Sequence, residues 1–211
     1  LSEIVVDEKS HFSPKEVFLT IVQTIFYFKD NHCEESEIED GRDILIFTRA
    51  CDISAIERLD TIYLKNGGAQ DFYYKRLRDK VKFVLIECPE SFDSCFCVSM
   101  GASITDNFIG ILRDGKIDTK SEPVFVSENK KSVTIPDIDE SIVKDVIQLE
   151  YWRSFDENCA GCGGCTAVCP TCSCFDTIDV IYSETSLDGE RRRVWGSCMQ
   201  EDFSAMAGGH N

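Results

Sequence analysis

Residues 159–170 read Cys159-Ala-Gly-Cys162-Gly-Gly-Cys165-Thr-Ala-Val-Cys169-Pro170, a C-x2-C-x2-C-x3-C-P run. This spacing is the strongest constraint in the chain, because it holds cubane iron–sulfur clusters. Two-residue spacers let successive thiolates wrap one compact cluster. Gly161, Gly163 and Gly164 allow the backbone close to inorganic sulfide, and Pro170 turns the chain away. The alternative is a zinc ribbon or knuckle, which also uses C-x2-C pairs.

Where two clusters share such a run, its fourth cysteine serves a different cluster from the first three. Cys159, Cys162 and Cys165 therefore need a remote fourth ligand. Cys172 and Cys174 enter a proposed β-hairpin and Cys198 leaves it, so antiparallel pairing would bring Cys174 and Cys198 together at its open end. These three can complete the first cluster, join Cys169 on a second one, or pack as buried free thiols.

The chain holds 12 cysteines in 211 residues. It begins at Leu1 with acidic residues close behind and no basic start before an apolar core, so no export signal is expected and a reducing cytoplasm is the expected compartment. Disulfides are disfavoured there, and clustered cysteines hold metal or do redox chemistry. The formal charge of -16 disfavours nucleic acid and acidic membrane surfaces as partners. The longest apolar stretch, 18–28 (FLTIVQTIFYF), is too short for a membrane span and is broken by Thr20, Gln23 and Thr24.

The fold class read from pattern is an α/β N-terminal domain with parallel strands, over 1–136. A small ferredoxin-like, cysteine-rich α+β module containing a β-hairpin follows over 137–211, incomplete at its C-terminus. Ser13-Pro14-Lys15-Glu16 has the form of a capping box and predicts a helix from about Pro14, although the β-branched and aromatic run after it is also compatible with a strand. Residues 31–43 are acidic and read as an exposed loop. Residues 44–47 and 81–86 read as buried strands, with helices over 53–59 and 72–80 between them, so parallel pairing with a right-handed crossover is expected. The pattern from Cys88 to about Phe125 reads as loop. Ile138, Ile142, Val146 and Leu149 recur at helical spacing over 138–152, with Asp137 or Asp139 as cap. Residues 178–183 and 191–195, joined through Asp188-Gly189, predict the hairpin.

That topology creates a second constellation. Cys51 and Cys88 each lie just beyond a predicted parallel strand, so both thiols emerge at one carboxyl edge, where open α/β sheets bind ligands. Cys95 and Cys97, on the loop continuing from Cys88, can fold back to the same place and supply four thiolates for a further cluster. Cys33 reads as an incidental thiol. His11, His32 and His210 are scattered, His210 reading as a surface or packing residue, and no catalytic residue is expected in this chain. Lys75, Arg76, Arg78, Lys80 and Lys82, and Arg191-Arg192-Arg193, read mostly as solvated faces. A second reading makes them local compensation for cluster charge.

Residues 47–64 (FTRACDISAIERLDTIYL), 83–101 (FVLIECPESFDSCFCVSMG), 159–176 (CAGCGGCTAVCPTCSCFD) and 191–210 (RRRVWGSCMQEDFSAMAGGH) together resemble the iron–sulfur subunit of the anaerobic sulfite reductases. The β subunits of soluble sulfhydrogenases are looser relatives. The resemblance covers most of the chain and includes Arg49-Ala50-Cys51-Asp52 and Cys95-Phe96-Cys97, which strengthens the case for a cluster in the first domain. It implies two or more [4Fe–4S] clusters in an electron-transfer subunit, with a flavin partner that oxidises NADH and a sirohaem partner that reduces sulfite to sulfide. The alternatives are the matching subunit of a hydrogenase or sulfur reductase, or a zinc-binding scaffold. Members of the family continue into a second cysteine run, start earlier than Leu1 and are longer between 106 and 127. The sequence is therefore expected to be the ordered part of a longer protein.

Overall fold

The computed structural model of the chain describes residues 4–37, 41–137, 139–186 and 188–200, together with Phe203 and Ala205. In chain order the elements are a 3-10 turn (Pro14–Val17), β1 (Val22–Lys29), β2 (His32–Glu35), β3 (Ile44–Thr48) and α1 (Ala50–Asp60), prolonged by a π turn (Thr61–Lys65). Then come α2 (Phe72–Arg78), β4 (Val81–Leu85), β5 (Gly110–Arg113), β6 (Lys116–Asp118), α3 (Val143–Ile147), α4 (Tyr151–Asn158), α5 (Gly164–Val168), β7 (Phe175–Ile181) and β8 (Gly189–Trp195). Among the described residues the strands form two four-stranded sheets, ordered β2-β1-β8-β7 and β3-β4-β5-β6.

The second sheet carries the main core. β3 pairs with β4 in parallel, β4 with β5 in parallel, and β6 closes the edge antiparallel. The strand–helix–strand reading of the first third therefore holds. β4 is apolar on both faces, with Val81, Phe83, Val84 and Leu85 all buried, as expected of a central strand covered on each side. α1 turns Ile53, Ile56 and Leu59 inward at three-residue intervals, and they meet Ile46, Phe83, Leu85 and Ile111. Each fully buried aliphatic chain of this kind contributes about 1.5–3 kcal/mol by leaving water. Phe18 and Leu19 join the same cluster from the N-terminal segment.

A polar lattice sits on the flank of this core. Tyr74 stacks on Tyr63 with ring centres 4.5 Å apart, meets Phe18 edge-on, and donates its hydroxyl to Asp60 at 2.7 Å. Arg78 grips the same carboxylate with Nε at 2.9 Å and Nη2 at 3.0 Å. Arg76 donates to the carbonyl of Ser36. These two arginines are thus structural ties and not solvated faces, whereas Lys75 fits the solvated reading, pairing with Asp79 one turn on.

The structure differs from four expectations. Ser13 does cap at Pro14, accepting from the amide of Lys15, but only one 3-10 turn forms. β1 then follows, because Val22, Thr24, Ile25, Phe26, Tyr27 and Phe28 crowd a helix and suit a pleated sheet. Within the expected loop 31–43, His32–Glu35 pairs with β1 as β2, so Cys33 lies on an exposed edge strand. Within the expected loop after Cys88, β5 and β6 form a hairpin. Both hairpins turn on two residues in the left-handed region, Asp30-Asn31 and Asp114-Gly115, and such turns match the twist of the paired strands. The expected helix over 138–152 is instead the short α3 and α4, with Ile147 and Leu149 exposed. Asp139 accepts from the amide of Ser141 ahead of α3 and does not cap a long helix, while Ile138 lies outside the described residues.

The expected hairpin is present as β7 and β8, with Phe175 opposite Trp195 and Ile181 opposite Gly189. β8 also pairs with β1, Val22 opposite Val194 and Phe28 opposite Gly189, so this sheet draws on both ends of the chain. The three arginines of β8 are paired with carboxylates: Arg191 with Asp179 at 2.7 Å, Arg192 with Glu190, and Arg193 with Asp71 at 2.6 Å. Arg193 is buried over the ring of Phe175, which overturns the solvated reading for this residue.

Leu59→Ala should destabilise the protein by about 2–5 kcal/mol in urea unfolding followed by circular dichroism. Leu45→Ala, at a half-exposed position, should change it little, and equal effects would contradict this placement of the core. Hydrogen bonds from Arg192 and Thr24 hold the Glu190 carboxyl below its ordinary range. Its contribution is complete above the unfolded carboxyl value of about 4.3 and is lost as pH falls through the lower folded value. Unfolding midpoints measured from pH 6 to pH 3 should therefore fall less steeply for Glu190→Gln than for the parent protein.

Candidate metal centre

The parallel register sets Thr48 beside Leu85 at one edge of the sheet. Beyond that edge lie Cys51, in the first turn of α1, and Cys88, just after β4. The loop from Cys88 folds back through turns in which Cys95 donates its amide to the Phe92 carbonyl and Cys97 accepts from the amide of Ala102. Burial pushes the Cys51 thiol up to about 12, with Asp52, Cys97, Cys95 and Cys88 adding to the effect. The other three thiols therefore lie within electrostatic reach of Cys51.

Two polar side chains frame this set. Arg49 caps α1 by position and donates Nη2 to the carbonyls of Val6 and Glu8 at 2.8 and 2.9 Å, with its guanidinium over the ring of Phe92. Its Nε is buried with no hydrogen-bond partner among the described residues. Burial raises the Cys88 thiol, and the Arg49 charge opposes that rise. Buried Asn129 accepts from the amide of Val98 at 3.0 Å and turns its Nδ2 toward the Cys97 sulfur at 3.5 Å. No pattern in the sequence singles out Asn129.

The second set is built on a glycine-shaped loop. Gly161 and Gly163 take φ of +64° and +70°, and the Gly161 amide points at the Cys159 sulfur at 3.4 Å. α5 starts at Gly164, where an added Cβ would lie 3.5 Å from the Cys162 sulfur. Cys159, Cys162 and Cys165 present exposed thiols along this loop. Thr166 then anchors it, donating to Ser197 Oγ at 2.8 Å in a buried contact.

Downstream, Cys169, Cys172 and Cys174 lie together. Burial works against the Cys169 thiolate, but hydrogen bonds from Thr171 and Cys172 hold its pKa below the usual thiol value. Burial, reinforced by Cys169, pushes Cys172 up to about 11. At the open end of the hairpin the amide of Gly196 donates to the Cys174 carbonyl at 3.1 Å, so Cys198 follows two residues beyond a direct neighbour of Cys174. Sequence inspection missed Lys15, whose ammonium reaches this region from the other end of the chain and donates to the carbonyls of Thr166 and Cys172. A lysine between Pro14 and Glu16 carries no pattern that marks it as buried.

Among the described residues, no three His, Cys, Asp or Glu side chains are gathered tightly enough to grip one ion. A tetrahedral zinc with bonds of about 2.3 Å to sulfur needs its thiolates nearly in contact. In the 159–165 loop the two positive-φ glycines and the Gly161 amide directed at the Cys159 sulfur are features that fit backbone approach to inorganic sulfide. His11 and His32 stay apart from these sets, and His210 lies outside the described residues.

The family described as "4Fe-4S dicluster domain" matches residues 158–211. A curated relative, sulfhydrogenase 2 subunit beta of Pyrococcus furiosus, is 32% identical over 94% of this chain and 67% of its own length. The chain belongs to the family of the sulfhydrogenase β subunits. It is an iron–sulfur protein with more than one [4Fe–4S] cluster. No solved structure matches it. No helix among the described residues is long and apolar enough to cross a membrane.

A Cβ on Gly163 would meet Ser197 Cβ at 3.2 Å at a backbone angle that other residues adopt only with strain. Gly163→Ala should therefore lower iron and acid-labile sulfide per chain in anaerobic preparations. Gly41→Ala, where a Cβ meets nothing within 4 Å, should leave both at parent levels.

Proposed function

We propose that this chain is the electron-transfer β subunit of a hydrogenase or sulfur-reductase complex, passing single electrons between a flavin-bearing partner and a catalytic partner. The observation that carries this reading is the identity of 32% to a sulfhydrogenase β subunit over nearly the whole chain. When bound, a [4Fe–4S] cluster takes up and releases one electron, at a potential set by its surroundings. The residues of this chain hold and tune such centres, and bond-making chemistry belongs to the partners.

In this reading Cys159, Cys162 and Cys165 ligate one cluster, with the fourth ligand drawn from Cys172, Cys174 or Cys198. Cys169 serves a second cluster together with the remaining thiols of that group. Cys51, Cys88, Cys95 and Cys97 hold a further cluster at the sheet edge. There Asn129 orients the Cys97 sulfur, and the Arg49 charge offsets the thiolates beside it. The loops after β3 and β4 come off a rigid parallel pair, which fixes ligand positions against the small changes that accompany electron transfer.

A second reading makes the chain the iron–sulfur subunit of an anaerobic sulfite reductase, relaying electrons from an NADH-oxidising flavin partner to a sirohaem partner. It is favoured by Arg49-Ala50-Cys51-Asp52 and Cys95-Phe96-Cys97, the segments that resemble that family. The metal of the co-purified catalytic partner separates the two: nickel supports the first and sirohaem the second. In either complex, Cys162→Ser should reduce pyridine-nucleotide-driven turnover to background while turnover driven by an artificial donor at the catalytic partner survives. Persistence of both activities would remove the relay role.

A further inference from the structure

We propose that Lys15 sets the reduction potential of the iron–sulfur centre that Cys172 helps to bind, acting as a buried cation carried in from the far end of the sequence. This rests on the ligand assignment proposed above and extends it to a residue outside every cysteine motif.

Lysine is almost never fully buried without a partner of opposite charge, because desolvating an ammonium is costly. Lys15 is only 1% exposed. Its Nζ donates to the Thr166 carbonyl at 2.6 Å and the Cys172 carbonyl at 3.2 Å, and lies 4.4 Å from the ring centre of Trp195. Two carbonyl oxygens and an aromatic face favour the ammonium form without cancelling its charge. Among the described residues Lys15 forms no ion pair with a carboxylate, whereas Arg191, Arg192 and Arg193 all do. Burial lowers the Lys15 pKa from its ordinary value, and the thiols of Cys172, Cys169 and Cys174, when ionised, oppose that fall.

The placement is rigid. Pro14 and the Ser13 cap fix the turn that carries Lys15, and buried Phe18 and Leu19 anchor its exit. Trp195 Nε1 donates to the Leu19 carbonyl at 3.0 Å, so the ring beneath the ammonium is tied to the same segment. Reduction adds one electron, delivered by the partner, to a centre already negative from its thiolates. A fixed, buried cation nearby stabilises the reduced state more than the oxidised one and raises the potential. A lysine fulfilling only a packing role would not need its charge.

The test is a redox titration of the anaerobically purified complex, followed by electron paramagnetic resonance, with iron and sulfide counted in each variant. Lys15→Gln, which keeps a hydrogen-bond donor but loses the charge, should move the midpoint potential of one cluster signal to a more negative value at unchanged iron content. Lys15→Arg should stay close to the parent value. An unchanged potential in Lys15→Gln would overturn the proposal. So would an equal fall in Lys15→Arg, or loss of the signal in both variants, since each makes the role one of shape. Absence of any cluster signal in the parent protein would instead strike at the ligand assignment beneath it.

Discussion

Pairing of β1 with β8 is the contact on which the arrangement of the cysteine-rich segment depends. It carries residues from the start of the chain across the hairpin that follows the ferredoxin-type run. The 3-10 turn at Pro14 lies just upstream of β1, so the strand pairing sets Lys15, Phe18 and Leu19 in place together. Phe18 and Leu19 enter the main core while Lys15 reaches the carbonyls of Thr166 and Cys172. One strand pairing thereby links the apolar core to the loop that offers thiols. A second tie runs the same way, as the Tyr63 hydroxyl, on the π turn after α1, donates to the Ser173 carbonyl at 2.9 Å.

The two groups of thiols meet the same electrostatic problem with different neighbours. Thiolates repel one another, and burial makes each harder to ionise, which is visible in the raised values of Cys51 and Cys172. Around Cys51 the offsetting features are an arginine with one buried, unpartnered nitrogen and an asparagine aimed at sulfur. Around Cys172 the offsetting feature is Lys15, stacked on the Trp195 ring and donating to the Cys172 carbonyl, while the neighbouring Cys169 sulfur shares a hydrogen bond with the Thr171 hydroxyl. Binding iron relieves the repulsion, because metal coordination favours the deprotonated thiol.

The acidic chain as a whole works against adding electrons, so local positive charge matters more than the net value. The arginine stretch on β8 looks from its composition like the source of that charge. In the fold each of those arginines is engaged by a carboxylate: Arg191 reaches Asp179 on β7, Arg192 pairs with Glu190 on its own strand, and Arg193 reaches Asp71 at the start of α2. Net charge and charge runs describe solubility and encounter with partners. Which cation faces a cluster is decided by packing.

Much was legible from sequence because the relevant signals are local. Cysteine spacing pointed to iron–sulfur chemistry in the segment that the 4Fe-4S dicluster family matches, continuous apolar runs identified β3 and β4, and alternation around Asp188-Gly189 identified the hairpin. The placing of Cys51 and Cys88 at one edge of the sheet followed from parallel pairing of β3 with β4, which brings both carboxyl ends to the same side. What stayed hidden was non-local or locally ambiguous. Phe18 to Phe28 could serve as helix or strand until β8 supplied a pairing edge, and the Asp30-Asn31 and Asp114-Gly115 turns became hairpins because neighbouring strands accepted them. Chain order by itself determined the chemistry of this protein, since thiolate spacing is a property of consecutive residues. Only the tertiary structure decided which side chains surround the thiolates, because Lys15 and Cys172 are 157 positions apart and meet through a sheet no local pattern encodes.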